Sequence, residues 1–159
     1  MPYNSQAERE RELIHQIALV FEQGGLPPIA GRVVGRLLLC DPPHQSSTQL
    51  ADYLHASRGS ISTTTRMLMA ARVLERVRFP RDRAAYFRIQ KGCWSEMLHA
   101  EFDRIRRLRR MGDEALAFLD DIGADDERKQ RLREFRDFNA FFETEMPLVV
   151  EHWNQRSEK

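Results

Sequence analysis

Apolar positions recur at helical spacing over residues 6–24, where Leu13, Ile14, Ile17, Ala18, Val20 and Phe21 form one stripe before Gly24-Gly25. Pro27-Pro28 suits the start of a second helix over 28–39, carrying Ile29, Val33, Val34, Leu37, Leu38 and Leu39. Asp41-Pro42-Pro43 ends it, because proline can neither donate to the ladder nor follow a helical residue comfortably. Gly31 and Gly35 lie four apart on one face, where missing side chains permit close approach of another helix. A short helix over 48–55 puts Leu50, Ala51 and Leu54 on one side. The linker ASRGS opens another, ISTTTRMLMAARVL, capped by Ser57 or, one turn later, by Ser60. Its expected buried set is Ile61, Thr65, Leu68, Met69 and Leu74, and its other face carries hydroxyls and arginines.

From 75 to 89 the period changes. Val77 and Phe79 alternate with Arg76 and Arg78, PRDR follows, and Tyr86, Phe87 and Ile89 resume. This predicts a β-hairpin with a charged tip, its first strand shortened by Pro80. Two long helices follow over 92–121 and 126–155, separated by Gly123-Ala124 and an acidic DDE run. Pro147 is expected to kink the last helix or end it early. The fold class is therefore mostly α with a small β-hairpin wing. Two parts are expected, a lobe over 28–91 that holds the short helices and the hairpin, and a helical region made of 6–24 with 92–155.

Composition narrows the class. A chain of 159 residues with 42% hydrophobic and 31% charged side chains has the profile of a soluble globular protein of one-domain length. No run approaches 18 apolar residues, so no membrane span is expected, and the polar N-terminus lacks a signal stretch. Cys40 and Cys93 are too few for a disulfide framework or a four-ligand metal site, and cytoplasmic residence is the default. The five histidines match no compact metal motif. No glycine-rich phosphate loop, nucleophile elbow or HExxH is present, so neither an enzyme nor a cofactor or metal is expected.

Charge adds the most. The chain sums to +1, yet residues 58–91 carry 9 basic and 2 acidic side chains, a net of +7. The flanks are mildly acidic, at -2 over 1–57 and -4 over 92–159. This is a local anion-binding surface on an otherwise balanced chain. It falls on the hydroxyl-rich helix and the hairpin. From Ser57 to Arg72 there is no acidic residue, and the hydroxyls lower helix propensity, so propensity does not explain them. A short helix, a tight turn and such a helix make a helix-turn-helix pattern, whose second helix suits the DNA major groove.

The stretch QSSTQLADYLHASRGSISTTTRMLMAARVLERVRFPRDRAAYFRI resembles the winged helix-turn-helix core of the MarR superfamily. AGRVVGRLLLCDPP ahead of it resembles the GbsR-like and mycobacterial MmpR-like branch. The resemblance extends over nearly the whole chain and makes 28–91 the winged helix-turn-helix DNA-binding lobe and 6–24 with 92–155 the helical dimerisation region. It implies a sequence-specific transcriptional regulator, commonly a homodimeric repressor on a pseudo-palindromic double-stranded DNA operator. It places Arg58, Ser60, Ser62, Thr63, Thr64 and Arg66 on the recognition helix, and Arg81 and Arg83 on the wing. The tip departs from the family's frequent Asp-Arg-Arg by reading Asp82-Arg83-Ala84. Asp82 is expected to orient an arginine or to shape the turn. The family often binds small lipophilic effectors between its DNA-binding lobe and dimerisation helices. Phe21, Leu26, Leu39, Trp94, Leu98, Phe138 and Phe142 are the candidates for such a pocket, although each also fits plain core.

The chain itself argues for a dimer. The last two helices repeat Trp94, Met97, Leu98, Phe102, Ile105 and Leu108, then Leu132, Phe135, Phe138, Phe141, Phe142, Met146, Val149, Val150 and Trp153. One small lobe would leave much of this apolar surface in water, which favours burial against a second copy. Arg32 and Arg36 could reach phosphates or pair with acids of the dimer helices. Arg76, Arg78 and Arg88 fit a solvated hairpin face. The basic run Arg104–Arg110 fits interhelical ion pairing better than a second nucleic-acid patch. Cys40 reads as a small buried hydrophobe, and nothing in the sequence marks either thiol as activated. The competing class is a winged-helix interaction scaffold without DNA binding, for which the +7 segment has no evident use.

Overall fold

The computed structural model describes residues 5–80 and 82–157. In chain order the elements are α1 (Gln6–Gln23), α2 (Pro28–Leu39), β1 (Gln45–Ser46), α3 (Ser47–Leu54), α4 (Arg58–Ala70), β2 (Leu74–Val77), β3 (Tyr86–Ile89), α5 (Cys93–Asp121) and α6 (Asp126–Ser157). The fold is mostly helical with a small antiparallel wing and two long C-terminal helices, as the periodicity predicts. The described residues form two compact units that divide between Cys93 and Trp94.

In the first unit, the two glycines of α2 determine how close α1 can lie. A Cβ at Gly31 would stand 2.8 Å from the Cα of Ala18, and one at Gly35 would stand 3.1 Å from the carbonyl oxygen of Ile14. Ile14 and Ala18 are the buried residues of α1. On its other sides α2 contributes Val33, Val34 and Leu37 to a core completed by Leu50 and Leu54 of α3, Ile61 and Leu68 of α4, Leu74 of β2 and Phe87 of β3.

Caps set the local boundaries. Ser46 accepts from the Gln49 backbone at 3.2 Å while the Gln49 side chain accepts from the Ser46 backbone at 2.8 Å, a reciprocal box that starts α3. Ser57, rather than Ser60, caps α4, its hydroxyl accepting from the Ser60 N–H at 3.1 Å. That helix ends at Ala70 rather than near Leu74. Arg72 turns left-handed at φ 56°, and the Val73 N–H bonds back to the Leu68 carbonyl at 2.9 Å. Leu74 then pairs with Ile89, so strand pairing takes residues that helical periodicity alone would have kept. The sheet has the order β1-β3-β2, and the two-residue β1 is a strand that the sequence pattern does not show. It is too short to display alternation and exists through pairing of Gln45 with Phe87 and Ser46 with Tyr86.

The second unit is an antiparallel helical hairpin. Ser95 bonds to Asn154, Arg109 pairs with Glu143, and Lys129 pairs with Asp120, so contacts step down α5 as they step up α6. At Gly112 a Cβ would stand 2.9 Å from the Arg136 Cβ, another close helix approach. Pro147 does not end α6, which continues to Ser157. The proline forfeits one bond to the carbonyl four residues back, but the turn beyond it places Val150 in the core. Val150 and Pro147 border the same groove as Phe102 of α5, and that packing holds the distal turns helical.

Candidate nucleic-acid interface

Helix α4 is anchored by one side. Ile61, Thr64, Thr65 and Leu68 are its buried residues, a spacing of three, one and three that marks a single helical face. The Thr65 hydroxyl donates to the Ile61 carbonyl at 2.9 Å, which satisfies it inside the core. On the opposite side Arg58, Ser62, Thr63 and Arg66 are exposed and Ser60 is half-exposed. Thr64 corrects the expectation. Although it lies on the same helix, it is only 5% exposed, because the helical phase turns it inward beside Ile61 and Leu68. Arg66 lies along its own helix, its Nε donating to the Ser62 carbonyl at 3.2 Å and an Nη to the Thr63 hydroxyl at 3.5 Å. The guanidinium is thus held over the exposed hydroxyls.

The hairpin tip is ordered by Asp82. Its carboxylate accepts from the Ala84 N–H at 2.8 Å and from the Tyr86 hydroxyl at 2.8 Å. These two bonds, the backbone one first, hold the Asp82 carboxyl below its ordinary range, and the same contact pushes the Tyr86 phenol up. Of the two roles open to Asp82, the structure therefore shows the turn-shaping one. Tyr86 also stacks edge-on against His44 and Phe79, with ring centroids 5.2 Å away in each case. Arg83 is exposed beside this braced turn, whereas Arg81 lies outside the described residues. Arg88 pairs across the strands with Glu75 at 2.6 Å, and Arg76 and Arg78 are exposed.

The remaining arginines sort into structural roles. Arg36 forms an ion pair with Glu10 of α1 and lies 3.9 Å over the Tyr53 ring of α3, and the Tyr53 hydroxyl donates to Glu10 at 3.1 Å. Burial and the bond to Glu10 raise the Tyr53 phenol above its ordinary range. Arg32 donates to the Leu54 carbonyl at 2.8 Å at the end of α3. Pairing with an acid of the 6–24 helix is one of the two roles the sequence leaves open for Arg36; what the sequence does not show is Tyr53, 43 residues from Glu10, completing the junction. In the second unit two arginines of the basic run of α5, Arg106 and Arg109, make the interhelical pairs expected of it, and Arg104 pairs within its own helix. Arg106 reaches Asp103 at 3.1 Å and Glu143 at 3.6 Å, Arg109 pairs with Glu143, and Arg104 pairs with Glu101.

The seven residues expected to line an effector pocket divide between the units. Phe21, Leu26 and Leu39 belong to the first, and Trp94, Leu98, Phe138 and Phe142 to the second. Phe138 and Phe142 touch, with centroids 4.9 Å apart, and share a groove with Ile105, Leu108 and Phe135. Cys40 and Cys93 are both buried, and burial raises the Cys40 thiol, the opposite of activation.

The residues that anchor α4 and brace the hairpin form a winged helix-turn-helix, and comparison with known proteins gives it a family. The chain is 38% identical over 147 residues to the HTH-type transcriptional regulator MmpR5 of Mycobacterium tuberculosis, covering 92% of this chain and 87% of that protein. It belongs to the MmpR5-like branch of the MarR family. The family's sequence model, described as an MmpR5-like MarR family transcriptional regulator, matches residues 92–156. A solved transcriptional regulator, 35% identical, superposes with a TM-score of 0.74 over 92% of this chain and 99% of its own. The regulator is thus a DNA-binding winged helix-turn-helix protein and not an enzyme. Among its described residues no helix is long and apolar enough to cross a membrane.

Proposed function

We propose that the regulator is a homodimeric repressor that reads a pseudo-palindromic operator with α4 in the major groove. The observation that carries this reading is the exposed side of α4, where Arg58, Ser62, Thr63 and Arg66 stand with Ser60 and no acid. Arginine can address guanine edges bidentately, and the hydroxyls can address either bases or phosphate. Thr64 supports the helix from within. Arg83 and Arg81 supply the wing contacts to flanking backbone or minor groove, where guanidinium groups position rather than specify.

The second copy is supported by exposed apolar surface on α5 and α6. Met111 is 61% exposed and Phe138 62%, and Phe118, Phe141, Leu148 and Val149 stand out with them. Patches of this kind mark association surfaces. Two-fold symmetry gives half-sites about one helical turn apart, or a multiple of it. A small lipophilic effector releases the DNA by preferring the arrangement that mismatches it, and a ten-fold preference supplies about 1.4 kcal/mol of bias.

Selection from random double-stranded DNA at two salt concentrations tests the reading. The expected product is an inverted repeat whose affinity falls steeply with salt. Arg66→Ala should relax the sequence preference at one position in each half-site, at about 1–3 kcal/mol. Arg83→Ala should weaken all sites alike and flatten the salt dependence. Absence of an enriched repeat, persisting after denaturing removal of any carried ligand and refolding, would sink it.

A further inference from the structure

The hairpin that carries Arg83 has short strands, β2 and β3 of four residues each, and their register ends where Val77 pairs with Tyr86. A two-stranded ribbon of this length is marginal by itself in water. The third strand, β1, adds only the pairs Gln45–Phe87 and Ser46–Tyr86, so it too stops at Tyr86. Residues 78–85 lie beyond the ladder. Within them the Asp82 N–H donates to the Phe79 carbonyl at 3.2 Å, and the Asp82 carboxylate accepts from Ala84 and Tyr86. Each of these bonds joins hairpin to hairpin, which shapes the tip without fixing where it points.

A cluster of three rings supplies the missing link. His44, half-exposed in the loop between α2 and β1, has its ring centroid 4.6 Å from that of Phe79 and 5.2 Å from that of Tyr86. Phe79 and Tyr86 meet edge-on at 5.2 Å. Those two rings belong to the hairpin, whereas His44 comes from outside it. His44 lies two residues before Ser46, which caps α3 and pairs with Tyr86. One short segment therefore grips both the start of the helix-turn-helix and the base of the wing.

We propose that His44 is a positioning residue for DNA binding, its ring fixing the tilt of the hairpin so that the wing arginines meet the DNA beside the groove that α4 enters. The proposal rests on the reading that the wing touches DNA, and names what holds it there. Aromatic rings prefer edge-to-face and offset arrangements, so a cluster of three resists rotation of the hairpin as well as its separation. The hold is through ring faces and edges, and phenylalanine can replace it.

Binding of the full chain to the inverted repeat enriched from random DNA, in a cycle of His44→Ala with the wing variant Arg81→Ala/Arg83→Ala, tests it. His44→Ala should weaken binding about two- to ten-fold, the range that one aromatic pair can transmit. In the wing variant the same substitution should cost less than about two-fold, because coupled residues are not additive. His44→Phe should keep native affinity. Without DNA, backbone amide relaxation by NMR should show Arg83 and Ala84 loosened in His44→Ala and rigid in His44→Phe. Full additivity with the wing variant, or loss of affinity in His44→Phe, would make His44 a DNA contact in its own right and overturn the proposal. Native affinity in His44→Ala beside a weakened wing variant would overturn this proposal alone. Undiminished binding by the wing variant would remove the wing reading and this proposal together.

Discussion

A single methyl group at Gly31 would meet the Ala18 backbone at 2.8 Å, and backbone cannot move aside as a side-chain tip can. Gly31→Ala gains roughly 1 kcal/mol of intrinsic helix propensity. The forced separation of α1 from α2 should outweigh it, for a net loss of about 1–3 kcal/mol in urea unfolding. Gly35→Ala should cost less, since its nearest contact would be 3.1 Å. Asp82 gives a second residue-scale prediction. Its carboxyl is held below the ordinary range, so the folded state binds its proton less readily than the unfolded chain. Its ordering of the turn is therefore complete above the ordinary carboxylate range and is lost as pH falls through the lowered folded value. The Ala84 amide resonance should follow that titration by NMR. Asp82→Ala should lower DNA affinity several-fold while leaving the melting temperature unchanged, because the group is solvent-exposed and serves the wing rather than the core.

Among the elements, α3 and α4 depend on their caps more than on their composition. Ser46→Ala removes one half of the box that starts α3, and Ser57→Ala removes the acceptor for the Ser60 N–H. Each should cost about 1 kcal/mol of stability by denaturant titration. The two should separate in DNA binding, where Ser57→Ala loosens the first turn of α4 beside Arg58 and Ser60 and should weaken affinity further than Ser46→Ala. The helical hairpin behaves differently. Three arginines of its basic run are paired, Arg104 with Glu101 and both Arg106 and Arg109 with Glu143. The charge count places the largest net positive segment at 58–91, on α4 and the wing.

For the whole molecule, the apolar side chains exposed on α5 and α6 are the features that one chain cannot satisfy. Phe138→Glu or Phe141→Glu places a charge on that surface and should shift the proposed dimer to monomer in sedimentation equilibrium, with far-UV circular dichroism unchanged. Operator binding should fall more than ten-fold with it, since two half-sites then bind independently and lose the gain from being linked. Retention of the dimer in both variants would place the subunit contact on other elements.

Much of this protein follows from local pattern. Periodicity determines α1, α2 and both long helices, Gly31 and Gly35 mark the close approach, and alternation broken by PRDR marks the hairpin. The uneven charge along the chain points to α4 and the wing, because adjacent residues on one helix or one turn share a surface wherever the fold puts it. What the tertiary structure decided are the relations between distant residues. Strand pairing claimed Leu74 from the helix and made a strand of Gln45 and Ser46, each too short a signal to read alone. Helical phase against the core turned Thr64 inward while its neighbour Thr63 stayed in water. Burial of Val150 carried α6 past Pro147. The Glu10–Arg36–Tyr53 junction joins three helices. Residues 26 and 43 apart come together there because the packing of apolar faces sets the geometry first, and the charges then find partners within it.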